Sequence, residues 1–492
     1  MAGDEGPGSS TTELEGRAAR GGLWATVENA VSRGLVLLRY VAVARLLTPD
    51  QVGLFTFGAL ALSAVTRFSS IGINPAIIAQ DGDLDRQLEA AFTLQIARNL
   101  LLATLLYVGA PVAATVFGDP RAVRLVRLIA LVPLVDTIEN PATVVFRQEL
   151  NFRRRAVFRI SGVLANALVA VGLAYYTRSV DALVAGVLAG AAVHTLVSHV
   201  IVPRHPVPSL DTAQMRRLLD YGKWLTGNSM VKWLADEGDD ALVGAVVGSA
   251  GLAFYRSAYQ FGQAPQSELT DVLNDVTFPT LAHVSDDNHA LAVGYRRTLR
   301  LAATAVFPAA VGTALVAPTF VRAVLGLEWI PAVRPLQAIA LAAVAQGLTA
   351  TDKSLWQAVD RPDLLTKAKS LTLAVLAATA IPATFLYGTL GTAAAVAATA
   401  FLVAPVRAWF VARVLDASVR EVTVPLAGPG IATLAMVAVV APVVSRLPYT
   451  IHALAASVGI GVLAYVVAVL ALDRTRLRTA APLRDLLGTV RE

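Results

Sequence analysis

Fourteen apolar stretches fill the chain, at 22–46, 51–79, 88–116, 122–146, 156–176, 180–202, 218–240, 249–280, 296–317, 332–357, 364–387, 390–414, 423–445 and 448–472. A hydrocarbon core of about 30 Å takes about 20 apolar residues as a helix, so each stretch is long enough to cross a bilayer. No connection between them exceeds about 21 residues. The pattern predicts an all-α polytopic membrane protein of about 14 transmembrane helices.

The polar positions inside these stretches fall at helical spacing. In span eight, Arg256, Gln260, Gln263, Ser267, Asp271 and Asn274 follow steps of three and four, which draws one polar stripe along the helix. Span seven carries Asn228, Lys232, Asp236 and Asp239 or Asp240 in the same way, and span two carries Ser63, Arg67, Ser70 and Asn74. Span one adds Asn29 and Arg33 one turn apart, with Glu28 beside them and Arg39 deeper. Spans thirteen and fourteen have no charged residue in their interiors. An ionisable group at membrane depth is costly and normally faces protein or a wet cavity. The stripes therefore predict a polar cavity lined by the first two helices of each half, with the last pair of spans facing lipid. The alternative is that these groups satisfy one another as ties between helices, and Arg39, Arg45 and Asp240, near span ends, also fit side chains that snorkel. A second polar set, Asp136, Glu139, Asn140, Thr143 and Arg147 on span four with Gln346, Thr349, Lys353 and Gln357 on span ten, either extends the cavity or pins the halves. Pro75, Pro133, Pro141, Pro265 and Pro279 are candidate bends.

Arg and Lys resist translocation and mark the cytoplasmic side. Counted over alternate connections beginning with the amino-terminal tail, they number 24 on one side and 6 on the other. The asymmetry predicts an even number of spans with both termini in the cytoplasm of a cell membrane. At 55% hydrophobic and 15% charged, with a mean hydropathy of +0.61, the chain has too little polar surface for a soluble globule. The net charge of +6 is thus no nucleic-acid signal; it is the loop bias, with an added attraction to anionic membrane lipids. The absence of cysteine excludes disulfides and thiolate chemistry. Residues 1–21 are polar and acidic, which reads as a short disordered tail and no cleaved signal peptide.

Internal similarity divides the chain. Gly22-Leu23-Trp24-Ala25-Thr26 recurs as Gly222-Lys223-Trp224-Leu225-Thr226, Gly53-Leu54-Phe55 as Gly251-Leu252-Ala253-Phe254-Tyr255, and Phe146-Arg147-Gln148 as Leu355-Trp356-Gln357. In register, these predict two pseudo-symmetric six-helix bundles of parallel topology at 22–202 and 218–414, joined by a cytoplasmic linker at 203–217. Two additional transmembrane helices at 423–472 and a basic cytoplasmic tail at 473–492 follow.

Catalytic signals are few. There is no G-x-x-x-x-G-K-[ST] phosphate loop. His194 and His199 are five apart, on different helix faces, which favours packing over a shared metal. Asp286-Asp287 resembles a metal-binding carboxylate pair of a glycosyltransferase, but without a folded soluble domain around it a helix cap is favoured. No cofactor is expected.

Three runs resemble polysaccharide-repeat-unit flippases of the multidrug/oligosaccharidyl-lipid/polysaccharide exporter superfamily. They are Gly251 to Gln260 continued by Glu268-Leu269-Thr270 and Val276 to Leu281, Arg147 to Arg154, and Leu325 to Val333. The resemblance implies a pair of six-helix bundles, a central cationic cavity, and export of an oligosaccharide linked to a polyprenyl (pyro)phosphate, with glycan-assembly enzymes as partners and a monomeric state. Arg33, Arg67, Lys232 and Arg256 would then grip the pyrophosphate. Asn29, Asn228, Gln260, Gln263, Asn274 and the aromatics Trp224, Tyr255 and Tyr259 would meet the sugar. Asp236 and Asp271 either hold a coupling ion or neutralise the cations. The acidic run Asp236, Glu237, Asp239 and Asp240 departs from a uniformly cationic cavity. A cation-coupled drug antiporter of the same superfamily and a polytopic glycosyltransferase or ligase are the rival readings.

Overall fold

The computed structural model describes residues 8–69, 77, 83–148, 152–284 and 287–473, and among these every regular element is helical. Spans one and two are α1 (Gly8–Leu46) and α2 (Pro49–Phe68). The chain turns between them on a capping box. Thr48 Oγ1 accepts from the Gln51 amide at 3.3 Å, the Gln51 side chain accepts from the Thr48 amide at 3.0 Å, and Pro49 supplies the first helical residue. Span three, α3 (Leu84–Phe117), is capped by Asp83 and stopped by Gly118 at φ 67°.

Span four is broken. It runs as α4 (Ala122–Ile129) and α5 (Leu131–Asp136), leaves helical geometry, and resumes as a 3-10 turn (Pro141–Val144) and α6 (Val145–Gln148). Pro141 explains the break, since proline disfavours helix at the residue before it. Asn140 is extended there (ψ 113°), and its side chain accepts from the Ala142 amide at 2.9 Å. Spans five to eight are α7 (Phe152–Thr177), α8 (Asp181–Ile201), α9 (Thr212–Val247) and α10 (Ser249–Ala282). Span nine is α11 (Asn288–Phe320), whose N-cap Asp287 accepts from the His289 and Ala290 amides, the capping role expected of it. Span ten is broken like span four, into α12 (Val333–Gly347) and α13 (Asp352–Ala358). Spans eleven and twelve form α14 (Pro362–Val414), which folds back at Gly388 (φ 58°, ψ −139°). Hydroxyl contacts Thr384–Thr392 at 2.7 Å and Thr379–Thr399 at 3.2 Å show the two arms lying antiparallel. After a short α15 (Val419–Thr423), α16 (Ala427–Arg446) and α17 (Ile451–Asp473) supply spans thirteen and fourteen.

By length and composition, nine segments among the described residues are apolar enough to cross a membrane, the folded α14 counting once. The remaining passes are informative: span four is broken, while α1, α9 and α10 carry three of the predicted polar stripes. One boundary differs from the sequence reading. Residues 1–21 were assigned to a disordered tail, whereas α1 is already helical at Gly8. The run 14–20 is rich in Leu, Glu, Arg and Ala, strong helix formers that let the helix continue outward. The basic tail 474–492 lies outside the described residues.

The chain divides into two compact units, Met1–Ala250 and Gly251–Glu492. In the first, α7 packs on α8 and on α1, and α9 packs on α2 and α3. The α7–α8 contact is close because Gly186 and Gly190 face Ala170, Asn166 and Gly162, so that a Cβ on Gly186 would stand 2.6 Å from that of Ala170. The connection after α8 is tied to α3, with Thr93 Oγ1 donating to the Ser209 carbonyl at 2.7 Å. In the second unit, α11, α12 and α14 form the core and α16 and α17 pack on α11.

In the first unit, loops gather at two ends. At one end of the first unit Arg121 pairs with Asp50 (2.8 Å) and Asp119 (2.7 Å), Arg124 pairs with Asp181 (2.8 Å), Gln51 donates to the Arg178 carbonyl (2.9 Å), and Ser249 donates to Asp50. At the other, Asn140 donates to the Arg204 carbonyl at 2.7 Å and Arg204 lies 4.0 Å from Asp85. Each unit holds an aromatic pair at a similar offset. Phe57 stacks on Phe117 at 4.2 Å, and Phe261 packs on Phe320 at 4.8 Å, 204 and 203 residues later.

Candidate functional site

Four helices of the first unit enclose a cavity of about 380 Å³. Its polar wall comprises Ser63, Arg67, Arg98, Asn99, Asp136 and Glu237, with Leu62, Leu102 and Val132 among its apolar residues. Several of these polar groups have a structural reason for their position. The α2 stripe delivers Ser63 and Arg67 one turn apart. Ser63 Oγ donates to Glu237 Oε2 at 2.7 Å and accepts from Trp233 Nε1 at 2.8 Å, which fixes α9 against α2. Trp233 in turn meets Phe68 edge-on at 5.3 Å. Arg98 donates to the Ser69 carbonyl at 2.9 Å and the Thr66 carbonyl at 3.1 Å, so a guanidinium caps the last turn of α2. Gln95 donates to the carbonyls of Asp136 and Glu139, at 3.1 and 2.8 Å, where the fourth span leaves helical geometry.

Of the four cations singled out in the sequence, Arg67 lines this cavity and its side chain is exposed. Arg33 is half-buried on α1, Lys232 and Asp236 are exposed on α9, and Asn29 is exposed on α1. In the second unit Arg256 and Gln260 are half-buried and Gln263 is buried, on one face of α10. The side chains of Trp224, Asn228, Asp271 and Asn274 lie outside the described residues. Tyr255 is fully enclosed, at 0% exposure, and so is a packing residue; it was expected to meet the cargo, but it sits on the core side of α10. Glu28, beside Asn29 on α1, pairs with Arg159 at 3.0 Å and Arg155 at 3.6 Å on α7. Arg39 donates to Asn166 at 2.6 Å, which makes it a helix tie. Arg98 escaped the sequence reading, although a lone arginine inside the apolar span three was the available signal.

The second unit has an apolar cavity of about 370 Å³ between α11, α16 and α17, lined by residues such as Pro308, Gly312, Met436, Val440, Gly461 and Val462. Its few polar atoms are already engaged. The Ser457 hydroxyl donates to the Ala453 carbonyl at 2.7 Å and the Tyr465 hydroxyl to the Thr304 carbonyl at 2.8 Å. The wall therefore offers hydrocarbon alone.

A family model described as polysaccharide biosynthesis protein matches residues 42–334. The lipopolysaccharide biosynthesis protein WzxC of Escherichia coli (strain K12) is 23% identical over 353 residues, 71% of this chain and 72% of its own. The teichuronic acid biosynthesis protein TuaB of Bacillus subtilis (strain 168) is 26% identical over 296 residues, so that the chain spans 61% of TuaB. Among solved structures, the lipid II flippase MurJ in an inward closed conformation superposes with a TM-score of 0.73 over 92% of this chain and 99% of that one, at 14% identity. An inward-facing MATE family transporter gives 0.59 over 80% and 99%, at 15% identity. These two likenesses speak to the fold: a polytopic helical membrane protein. The matched segment 42–334 runs from the end of α1 to the start of α12, takes in the charged cavity and covers more than half of the chain, and the chain belongs to the polysaccharide biosynthesis protein family.

Proposed function

We propose that the chain is a flippase that carries a lipid-linked oligosaccharide or polysaccharide repeat unit across the cytoplasmic membrane by alternating access, without chemical change to it. The observation that carries this reading is the charged cavity of the first unit, within a membrane protein of a polysaccharide-biosynthesis family. A polyprenyl-(pyro)phosphate glycan carries a polar headgroup on an apolar tail. Its headgroup cannot enter hydrocarbon without losing its water, whereas its tail can remain among apolar side chains. Arg33, Arg67, Lys232 and Arg256 supply the cations for the phosphate, and the planar, always-charged arginine fork grips phosphate in two places at once. Asn29, Gln260 and Gln263 supply neutral polar contacts for the glycan. Both termini lie in the cytoplasm, and the protein works as a monomer beside the enzymes that assemble the glycan.

In cells lacking the protein, the complete lipid-linked glycan accumulates on the inner leaflet. A stalled intermediate that lacks a sugar would instead identify an enzyme. Arg67→Ala and Arg256→Ala abolish export while protein level and membrane insertion stay normal, and Arg→Lys restores part of it. Transport that survives both arginine changes but fails in Asp136→Asn or Glu237→Gln would favour a cation-coupled antiporter.

A further inference from the structure

The break in the fourth span is held from α8 by four consecutive contacts. His194 Nδ1 lies 3.8 Å from Glu139 Oε2. Thr195 donates to the Val135 carbonyl at 3.4 Å, Ser198 accepts from the Asn140 amide at 3.0 Å, and His199 Nε2 is 2.7 Å from the Ile138 carbonyl. His205 stacks on His199 with ring centroids 5.9 Å apart, so three of the chain's six histidines gather at this one break. The two histidines predicted to lie on separate faces meet the same segment because the non-helical chain wraps around α8. The His194 ring is held in place by stacking on Phe158 at 3.7 Å and by the close approach of Gly162. Its side chain keeps 30% exposure, which leaves a route for a proton.

The equivalent break in span ten is clamped differently. Asp352, 1% exposed, accepts from Tyr295 at 2.7 Å and from Arg407 Nε at 3.1 Å, while Arg407 also donates to the Thr349 carbonyl at 3.2 Å. Arginine stays charged at every physiological pH, so that clamp carries its own fixed cation. The first unit has a histidine in the corresponding role, and imidazole changes charge between about pH 5 and 8.

We propose that His194 and Glu139 form a proton-binding pair that sets how firmly the break in the fourth span is held against α8. With His194 neutral, a separation of 3.8 Å to Glu139 is too long for a hydrogen bond. A proton on the ring creates an imidazolium beside a carboxylate, which draws the two together. Asp136 on α5 lies within electrostatic reach of both Glu139 and His194, with Arg98 of α3 as its guanidinium neighbour. From α7, Arg155 and Arg159 are turned to Glu28, and on α4, Arg124 is turned to Asp181. Also at this break are His199 and His205, and Arg204, whose carbonyl accepts from Asn140 and whose guanidinium lies 4.0 Å from Asp85.

The chain has no cysteine, so a nitroxide at Ile138→Cys, an exposed position on the break, reports it alone. In the purified full-length protein in lipid nanodiscs, the ratio of mobile to immobile label is expected to rise by up to roughly fivefold from about pH 5 to 8, the range of a half-exposed ion pair. His194→Gln and Glu139→Gln should each flatten this response, whereas His199→Gln and His205→Gln should retain it. A flat response in the parent, or one that persists in His194→Gln or Glu139→Gln, overturns the proposal, as does one that vanishes only when His199 or His205 is replaced. Thermal melting confirms that each variant is folded, and Glu139→Gln decides the matter if His194→Gln is not. The measurement contains no glycan, so its failure leaves the proposed transport function standing, and failure of the export experiments leaves this result standing.

Discussion

A carboxylate at 1% exposure needs a fixed counter-charge, and for Glu28 that charge comes from α7, from Arg159 at 3.0 Å and Arg155 at 3.6 Å. Removing one partner of a buried pair strands the other; the usual cost is about 3 to 5 kcal/mol, reduced here to about 2 because Arg155 remains. Arg159→Ala should therefore lower the melting temperature in detergent, and the double variant Arg159→Ala/Glu28→Gln should recover most of the loss. The sequence shows Glu28 five residues before Arg33 on one helix and makes them candidate partners. It could not show that the true partner lies 131 residues away, because spacing reads contacts along one helix and says nothing about which helices meet. The same limit explains Tyr255: its place in a polar stretch was legible, and its direction toward the core was not. Ser63 and Arg67 were legible as cavity residues because the i, i+4 rule alone puts them on one face of α2.

Among the elements, α2 makes the closest approach. A Cβ at Gly53 would overlap the Ser249 carbonyl oxygen, at the turn that joins α9 to α10. Gly53→Ala must push α2 away from that turn, at a cost of about 2 kcal/mol, measurable as a lower melting temperature. Gly34→Ala, with open space around it on α1, should be neutral or stabilising. A second consequence belongs to the loop after α3. The Asp119 carboxyl accepts hydrogen bonds from Arg121, which holds it below its ordinary value. A carboxylate with a depressed pKa stabilises the fold above its unfolded-state pKa and loses that contribution as pH falls through the folded value. Arg121→Gln should then lower stability at neutral pH by at most about 1 kcal/mol, since Arg121 is largely exposed. Its melting temperature should also fall less steeply than the parent's below about pH 4. As for what was foreseeable, Pro141 announced the break in span four, whereas the matching break at Leu348–Thr351 has no proline and left no mark in the hydrophobic pattern.

At the scale of the whole molecule, the ends of the helices test the topology. The loops that meet around Arg121, Asp50 and Arg178 belong to one set of the basic-residue count, and those around Asn140, Arg204 and Asp85 to the other. Single cysteines at Arg154 and Arg216 should react with an impermeant maleimide only from the cytoplasmic side, and those at Thr177 and Tyr449 only from outside. Reversed labelling at two of these positions would refute the orientation. The hydrophobic pattern revealed the spans because they depend on residues in bulk, while the grouping of spans depends on a few close contacts. α9 is the instructive case. By sequence repeat it opens the second half; by packing it lies against α2 and α3 in the first unit. Exchanging residues 218–414 for those of a distant relative would therefore set a foreign α9 against resident α2 and α3. A chimera joined at residue 218 should accordingly melt at a lower temperature than one joined at 250, the boundary between the compact units.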